Sequence, residues 1–89
     1  MSFCNMFYVY ILRSLKNGYR YIGQTTDLQK RIREHNQGLT KSIRFQIPFT
    51  LEYTETFTTR QEAIKREKFF KSGQGREWLD RNVNNKKNN

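Results

Sequence analysis

Four tyrosines stand in two close pairs early in the chain, Tyr8 with Tyr10 and Tyr19 with Tyr21. Arg31 and His35 follow, and Glu67 comes much later. Phenol, guanidinium, imidazole and carboxylate groups can move protons, hold phosphate and bind metal. Singly, each also has a plainer use: strand tyrosines pack, an arginine on a helix edge is solvated or meets phosphate, and a histidine in an apolar arc is hydrogen-bonded in a core. Glu67 is the least ordinary. At about 100° per helical residue it falls within ~60° of Ala63 and Phe70, which places a carboxylate in an apolar arc. Such a group is paired or metal-bound, because an unpaired buried charge costs several kcal/mol. The plain alternative is an exposed Glu67 paired with Lys71 one turn on, for ~0.3 kcal/mol.

The elements that must position these residues are legible in the pattern. Phe7-Tyr8-Val9-Tyr10-Ile11-Leu12 reads as a buried strand, Lys16-Asn17-Gly18 as a turn, and Tyr19 to Gly23 as a second strand closing a hairpin. Tyr8 and Tyr10 share one strand face, as do Tyr19 and Tyr21, so a tyrosine cluster on one sheet face is expected. Thr26 with Gln29 fits a capping box, which starts a helix near Asp27. Leu28, Ile32 and His35 line one face of it, with Arg31 at the edge, and Gly38 stops it. Residues 39–48 read as a loop ending at Pro48. Leu51, Tyr53 and Phe57 alternate with polar residues in a third strand. Thr59 with Glu62 caps a second helix that runs to about Ser72 and stops at Gly73. Gly75 separates it from a short third helix, Arg76 to about Arg81. The order ββαβαα predicts an α+β domain, a central three-stranded antiparallel sheet flanked by helices. One domain spans 1–81, and the Asn/Lys-rich segment 82–89 is expected to be a frayed, disordered tail.

Composition narrows the class. The 89 residues include 17 Lys and Arg against 8 Asp and Glu, a net charge of +9, which suits a polyanionic partner and above all nucleic acid. The stretch 45–59 holds Glu52 and Glu55 and no basic residue, so acidic sequence divides the basic segments. With 35% hydrophobic residues there is no apolar run near the ~20 a membrane span needs, so no membrane partner is expected. Asn5 interrupts the apolar start, against a secretory segment. The single cysteine, Cys4, suits a reducing cytoplasm. One Cys and one His cannot fill a zinc site.

Taken in order, these residues resemble the GIY-YIG nuclease superfamily, in particular its small standalone bacterial members. Tyr8-Val9-Tyr10 is a variant of the first motif, with Tyr8 in place of its glycine, and Tyr21-Ile22-Gly23 is the intact second motif. Arg31 follows ten residues after Tyr21. Glu34-His35-Asn36 and Arg66-Glu67 match later signatures, and the segment Lys71 to Leu79 resembles the closing stretch of the standalone group. Gln24 stands where some relatives carry a lysine. The resemblance covers about residues 6–80 and implies a metal-dependent endonuclease, with little sequence specificity of its own, that hydrolyses phosphodiester bonds in DNA. It implies Tyr21 as general base or water-orienting group, with Tyr10 supporting it. Arg31 would hold the scissile phosphate, His35 would assist, and Glu67 would be the ligand of Mg²⁺ (or Mn²⁺). One carboxylate is enough, because Mg²⁺ keeps waters and takes substrate oxygens. Arg13, Arg20, Lys30, Arg33, Lys41 and Arg44 are the residues expected to track the phosphate backbone. The rival reading is a non-catalytic basic nucleic-acid-binding module whose tyrosines stack on bases. A third is a structural or adaptor protein whose charge is incidental.

Overall fold

The computed structural model describes residues 6–83. Its elements are β1 (Phe7–Ser14), β2 (Arg20–Thr25), α1 (Leu28–Asn36), a single 3-10 turn at Arg44–Gln46, β3 (Phe49–Phe57), α2 (Arg60–Lys71) and α3 (Gly73–Asn82). This is the expected α+β order. The sheet is antiparallel throughout, in the order β2-β1-β3, so the most apolar strand is central and β2 is an edge.

The sheet is covered on both faces, which explains why β1 is apolar without alternation. Val9 and Ile11 face α2 and α3 and pack with Ile22, Ala63, Phe70 and Leu79. Tyr10 and Leu12 face the opposite way, with Ile43 and Phe49, against Leu28 and Ile32 of α1. The third strand does not present a single apolar face. A register shift lets Leu12 pair with Leu51 while Ile11 pairs with Tyr53, leaving Glu52 as the extra residue. Leu51 and Tyr53 therefore point to opposite sides of the sheet, and Leu51 is exposed.

Three local expectations change. Asp27, not Thr26, caps α1, because its carboxylate accepts from the Lys30 amide. Tyr19 lies in the turn and β2 begins at Arg20. Gly75 does not separate α2 from α3. Ser72 ends one helix and caps the next, and Gly75 is buried in the first turn of α3, where an added Cβ would run into the Phe69 carbonyl. The capping box at Thr59 and Glu62 forms as expected. The C-terminal boundary moves too. Asn82 is still helical and Val83 is buried in the core, while the rest of the expected tail, 84–89, and Cys4 lie outside the described residues. Among the described residues no helix is long and apolar enough to cross a membrane.

Candidate active site

Tyr10, on the central strand, is paired with Gly23 on β2, and Tyr21 is paired with Leu12 beside it. Both tyrosines thus lie on the α1 face. Gly23 is required there by its neighbours: a Cβ at that position would lie 2.7 Å from the Tyr10 hydroxyl and 3.0 Å from the Tyr21 ring. The absent side chain lets the two phenols converge. Their ring centroids are 6.1 Å apart, and the His35 ring, carried in by α1, lies 4.8 Å from that of Tyr21.

His35 is fully buried, and both its nitrogens are occupied. Nε2 meets the Tyr10 hydroxyl at 3.0 Å and Nδ1 meets the Thr40 hydroxyl at 2.9 Å. Burial, helped by the charge of Arg31, holds the imidazole pKa below its ordinary value, so it is neutral. A neutral ring donates from one nitrogen and accepts at the other, so the two hydroxyls take opposite roles. Tyr10 is 1% exposed. Burial, and then the neighbouring Tyr21, push its pKa up to about 12, against the pull of Arg31. The buried pair is therefore protonated phenol and neutral imidazole, and His35 reaches the site through Tyr10.

Arg31 extends from α1 beside these phenols. It donates to Glu34 at 2.9 Å, and that bond, followed by the influence of Tyr10 and Tyr21, raises its pKa. It also lines a shallow cavity of about 330 Å³ with Lys30 and Glu34.

Glu67 comes from α2, on the other face of the sheet, and meets the group around the β2 edge. Its Oε1 accepts from Gln24 Nε2 at 2.8 Å, and its Oε2 is 2.8 Å from Lys71 Nζ. The side chain is 19% exposed, so the apolar arc did recess it, and the pairing with Lys71 is also present. Lys71, its pKa raised mainly by Glu67, also lies within electrostatic reach of Tyr21 and lines one cavity with it. Gln24 Oε1 is buried without a hydrogen-bond partner. The structure thus draws Tyr10, Tyr21, Arg31 and His35 together and places Glu67 across the edge strand, linked through Lys71.

No group of three His, Cys, Asp or Glu side chains forms among the described residues. A dedicated metal cage is not what this site offers. The donors present are one recessed carboxylate and one orphaned amide oxygen, both hard, and they suit a cation that takes its remaining ligands from water and substrate.

The six expected backbone-tracking residues divide. Arg13 and Arg20 both grip Glu52, at 2.7 and 3.1 Å, and Arg20 also reaches Asp80. The Glu52 side chain is fully buried. Burial alone would raise its pKa, but the two arginines more than reverse that and hold it below the usual carboxylate range. Lys30, Arg33, Lys41 and Arg44 are exposed along α1 and the loop after it. Sequence reasoning missed Gln24 and Lys71 as members of the site. The spacing of Lys71 from Glu67 was visible, but nothing in it showed that the pair reaches Tyr21.

A model of the GIY-YIG catalytic domain matches residues 6–82, and the chain belongs to that family. Its relatives include a UPF0213 protein of Bacillus licheniformis, 40% identical over 75% of this chain and 69% of that one. A UPF0213 protein of Halobacterium salinarum is 43% identical over 70% of this chain and 80% of its own. The solution structure of the UPF0213 protein BH0048 from Bacillus halodurans is similar with a TM-score of 0.51 at 39% identity, covering 83% of this chain and 81% of that chain.

Proposed function

We propose that this protein is a metal-dependent endonuclease that cleaves phosphodiester bonds in DNA, acting in the cytoplasm. One observation carries the reading. Among the described residues, three carboxylate side chains are less than one-fifth exposed: Glu52, Glu55 and Glu67. Glu52 is held by two arginines and Glu55 by both arms of Arg66, fixed forks that stay charged. Glu67 alone has a single lysine as counter-ion, 56% exposed on a flexible stem, and a neutral amide. Its charge partner can leave, which suits a carboxylate that exchanges an ammonium for a divalent cation.

In this reading Glu67, with Gln24 Oε1, would hold Mg²⁺ or Mn²⁺, which would supply charge neutralisation at the phosphate. Arg31 turns from Glu34 to the scissile phosphate and balances the charge that develops there. Tyr21 orients the attacking water and, in its phenolate form, takes its proton and becomes the neutral phenol. A free phenol is a poor base at neutral pH, with a pKa of ~10. Lys71 and Arg31 both face it and balance the negative charge of the phenolate before the proton arrives. Tyr10, kept protonated and fixed by His35, positions Tyr21 and Arg31. Affinity for the strand comes from Lys30, Arg33, Lys41 and Arg44, and such contacts carry little sequence information.

The test is cleavage of single-stranded, duplex and branched DNA with Mg²⁺ or Mn²⁺, using wild type, Arg31→Ala and Glu67→Ala. Metal-dependent cleavage that both substitutions abolish is expected. Intact DNA with wild type, together with salt-dependent binding that Glu67→Ala leaves unchanged or tightens, would favour a non-catalytic binding module.

A further inference from the structure

A cavity of about 390 Å³ opens at the outer side of β2, between that edge and the junction of α2 with α3. Tyr19, Arg20, Tyr21, Ile22, Lys71 and Arg76 line it. Arg20 is committed to Glu52 and Asp80, so it forms a neutralised wall. Among the described residues Arg76 makes no ion pair, and Lys71 pairs with Glu67 alone. Tyr19 belongs to neither core cluster and is 42% exposed. Its backbone is nevertheless fixed, donating to Asn17 Oδ1 and accepting from the Ser14 amide. An exposed aromatic ring on a fixed backbone, in one cavity with two available cations, is the pairing that recognises a nucleotide, the ring taking the base and the cations the phosphate.

We propose that this cavity is a subsite for the nucleotide unit next to the scissile phosphate, a placement that rests on the nuclease reading. Tyr19 stacks on the base, and Arg76 and Lys71 hold the phosphate beside it. The cavity falls in the size range of small-ligand sites, ~300–1,000 Å³, and takes one unstacked nucleotide rather than a duplex. The subsite therefore favours ends, flaps or single strands over continuous duplex. It adjoins Tyr21, so filling it sets the register of the strand against the reacting group.

The experiment is an NMR amide titration of the full chain in EDTA, with thymidine 5′-monophosphate and, separately, inorganic phosphate. The nucleotide should shift the amides of residues 19–22 and 71–76 and bind about tenfold more tightly than phosphate, because only the nucleotide stacks. Tyr19→Ala should erase most of that preference, while Arg76→Ala weakens both ligands. Equal affinity for the two ligands, or shifts confined to Lys30, Arg33, Lys41 and Arg44, would overturn the subsite. Because no metal is present, the nuclease reading fails separately: nucleotide binding here without any DNA cleavage removes the activity and leaves the binding site. Cleavage by a protein that ignores thymidine monophosphate removes the subsite alone.

Discussion

Gly23→Ala tests the geometry of the site at its tightest point. The new Cβ would be 2.7 Å from the Tyr10 hydroxyl and 3.0 Å from the Tyr21 ring, whereas unstrained carbon contacts lie at ~3.5–4 Å. A side-chain tip usually relieves such a clash by swinging away. Tyr10 is 1% exposed and joined to His35 at 3.0 Å, so it has no solvent to swing into. A shift of ~0.8 Å is needed, and it must come from bending that hydrogen bond or from lifting β2 off β1. Overpacking costs ~1–3 kcal/mol and a lost buried hydrogen bond adds ~1 kcal/mol. The variant should therefore lose about 2–4 kcal/mol, equivalent to a fall in Tm of roughly 10–30 °C for a domain of this size. Urea unfolding followed by Trp78 fluorescence measures it. Gly73→Ala is the control, because nothing lies within 4 Å of its Cβ position. That change should be neutral or stabilising by up to ~1 kcal/mol. If the two variants unfold within about 0.5 kcal/mol of each other, and the His35 ring signals of Gly23→Ala match wild type, then Gly23 does not set the packing of the two tyrosines.

Four other outcomes follow. Glu52→Gln leaves Arg13 and Arg20 without their carboxylate and should cost ~3–5 kcal/mol by urea denaturation, because the Glu52 side chain is fully buried. Glu52 and Glu55 are both held below the usual carboxylate range, so their stabilisation is complete above about pH 4.3 and is lost as pH falls through the depressed folded values. Denaturation curves at stepped pH should show that acid limb, shallower in Glu52→Gln. His35 is also depressed, so its stabilisation is complete above about pH 6.5 and is lost as pH falls through the lower folded value. An NMR titration of the imidazole should place its midpoint below that of an unfolded chain, and a midpoint at or above it would contradict the buried neutral ring. If Lys41 and Arg44 contact phosphate, Lys41→Ala and Arg44→Ala should each lower the slope of log K against log salt by about 1 on duplex DNA, while Arg13→Ala should change stability more than slope.

The sheet and helices were legible because each element carries its own local signal: the β-branched and aromatic run of β1, the turn at Asn17 and Gly18, and the Thr59 cap three residues before Glu62. What escaped depended on pairing between distant segments. The bulge at Glu52 cannot be read from β3 alone, where the alternation continues. It follows from the register with β1, and it turns Leu51 outward. Gly75 looked like a helix breaker by residue type, whereas its actual demand is the close approach of the Phe69 carbonyl, which only tertiary placement reveals. Within the site, Tyr10 and His35 were singled out by spacing and resemblance, but the contact between them was not legible. The hydroxyls of Tyr10 and Thr40 stand one at each imidazole nitrogen, the first a pairing between segments distant in sequence.

The position of Gln24 connects these observations. Some relatives carry a lysine there, three residues after the YIG tyrosine, and a cation beside the phenol has an evident use. In this chain the neutral amide faces Glu67, and the ammonium comes instead from Lys71 on α2, within reach of both Glu67 and Tyr21. A lysine at position 24 would set two ammoniums on one carboxylate, and that carboxylate would then be as firmly committed as Glu52 is between its arginines. Glutamine meets Glu67 through Nε2 without neutralising it and leaves its own Oε1 unpartnered. The cation is thus moved from the strand to the end of a helix at the cavity mouth, where it is exposed enough to exchange. The replacement at position 24 and the placement of Lys71 are therefore best understood as one arrangement, which keeps positive charge near Tyr21 while leaving Glu67 free to change partners.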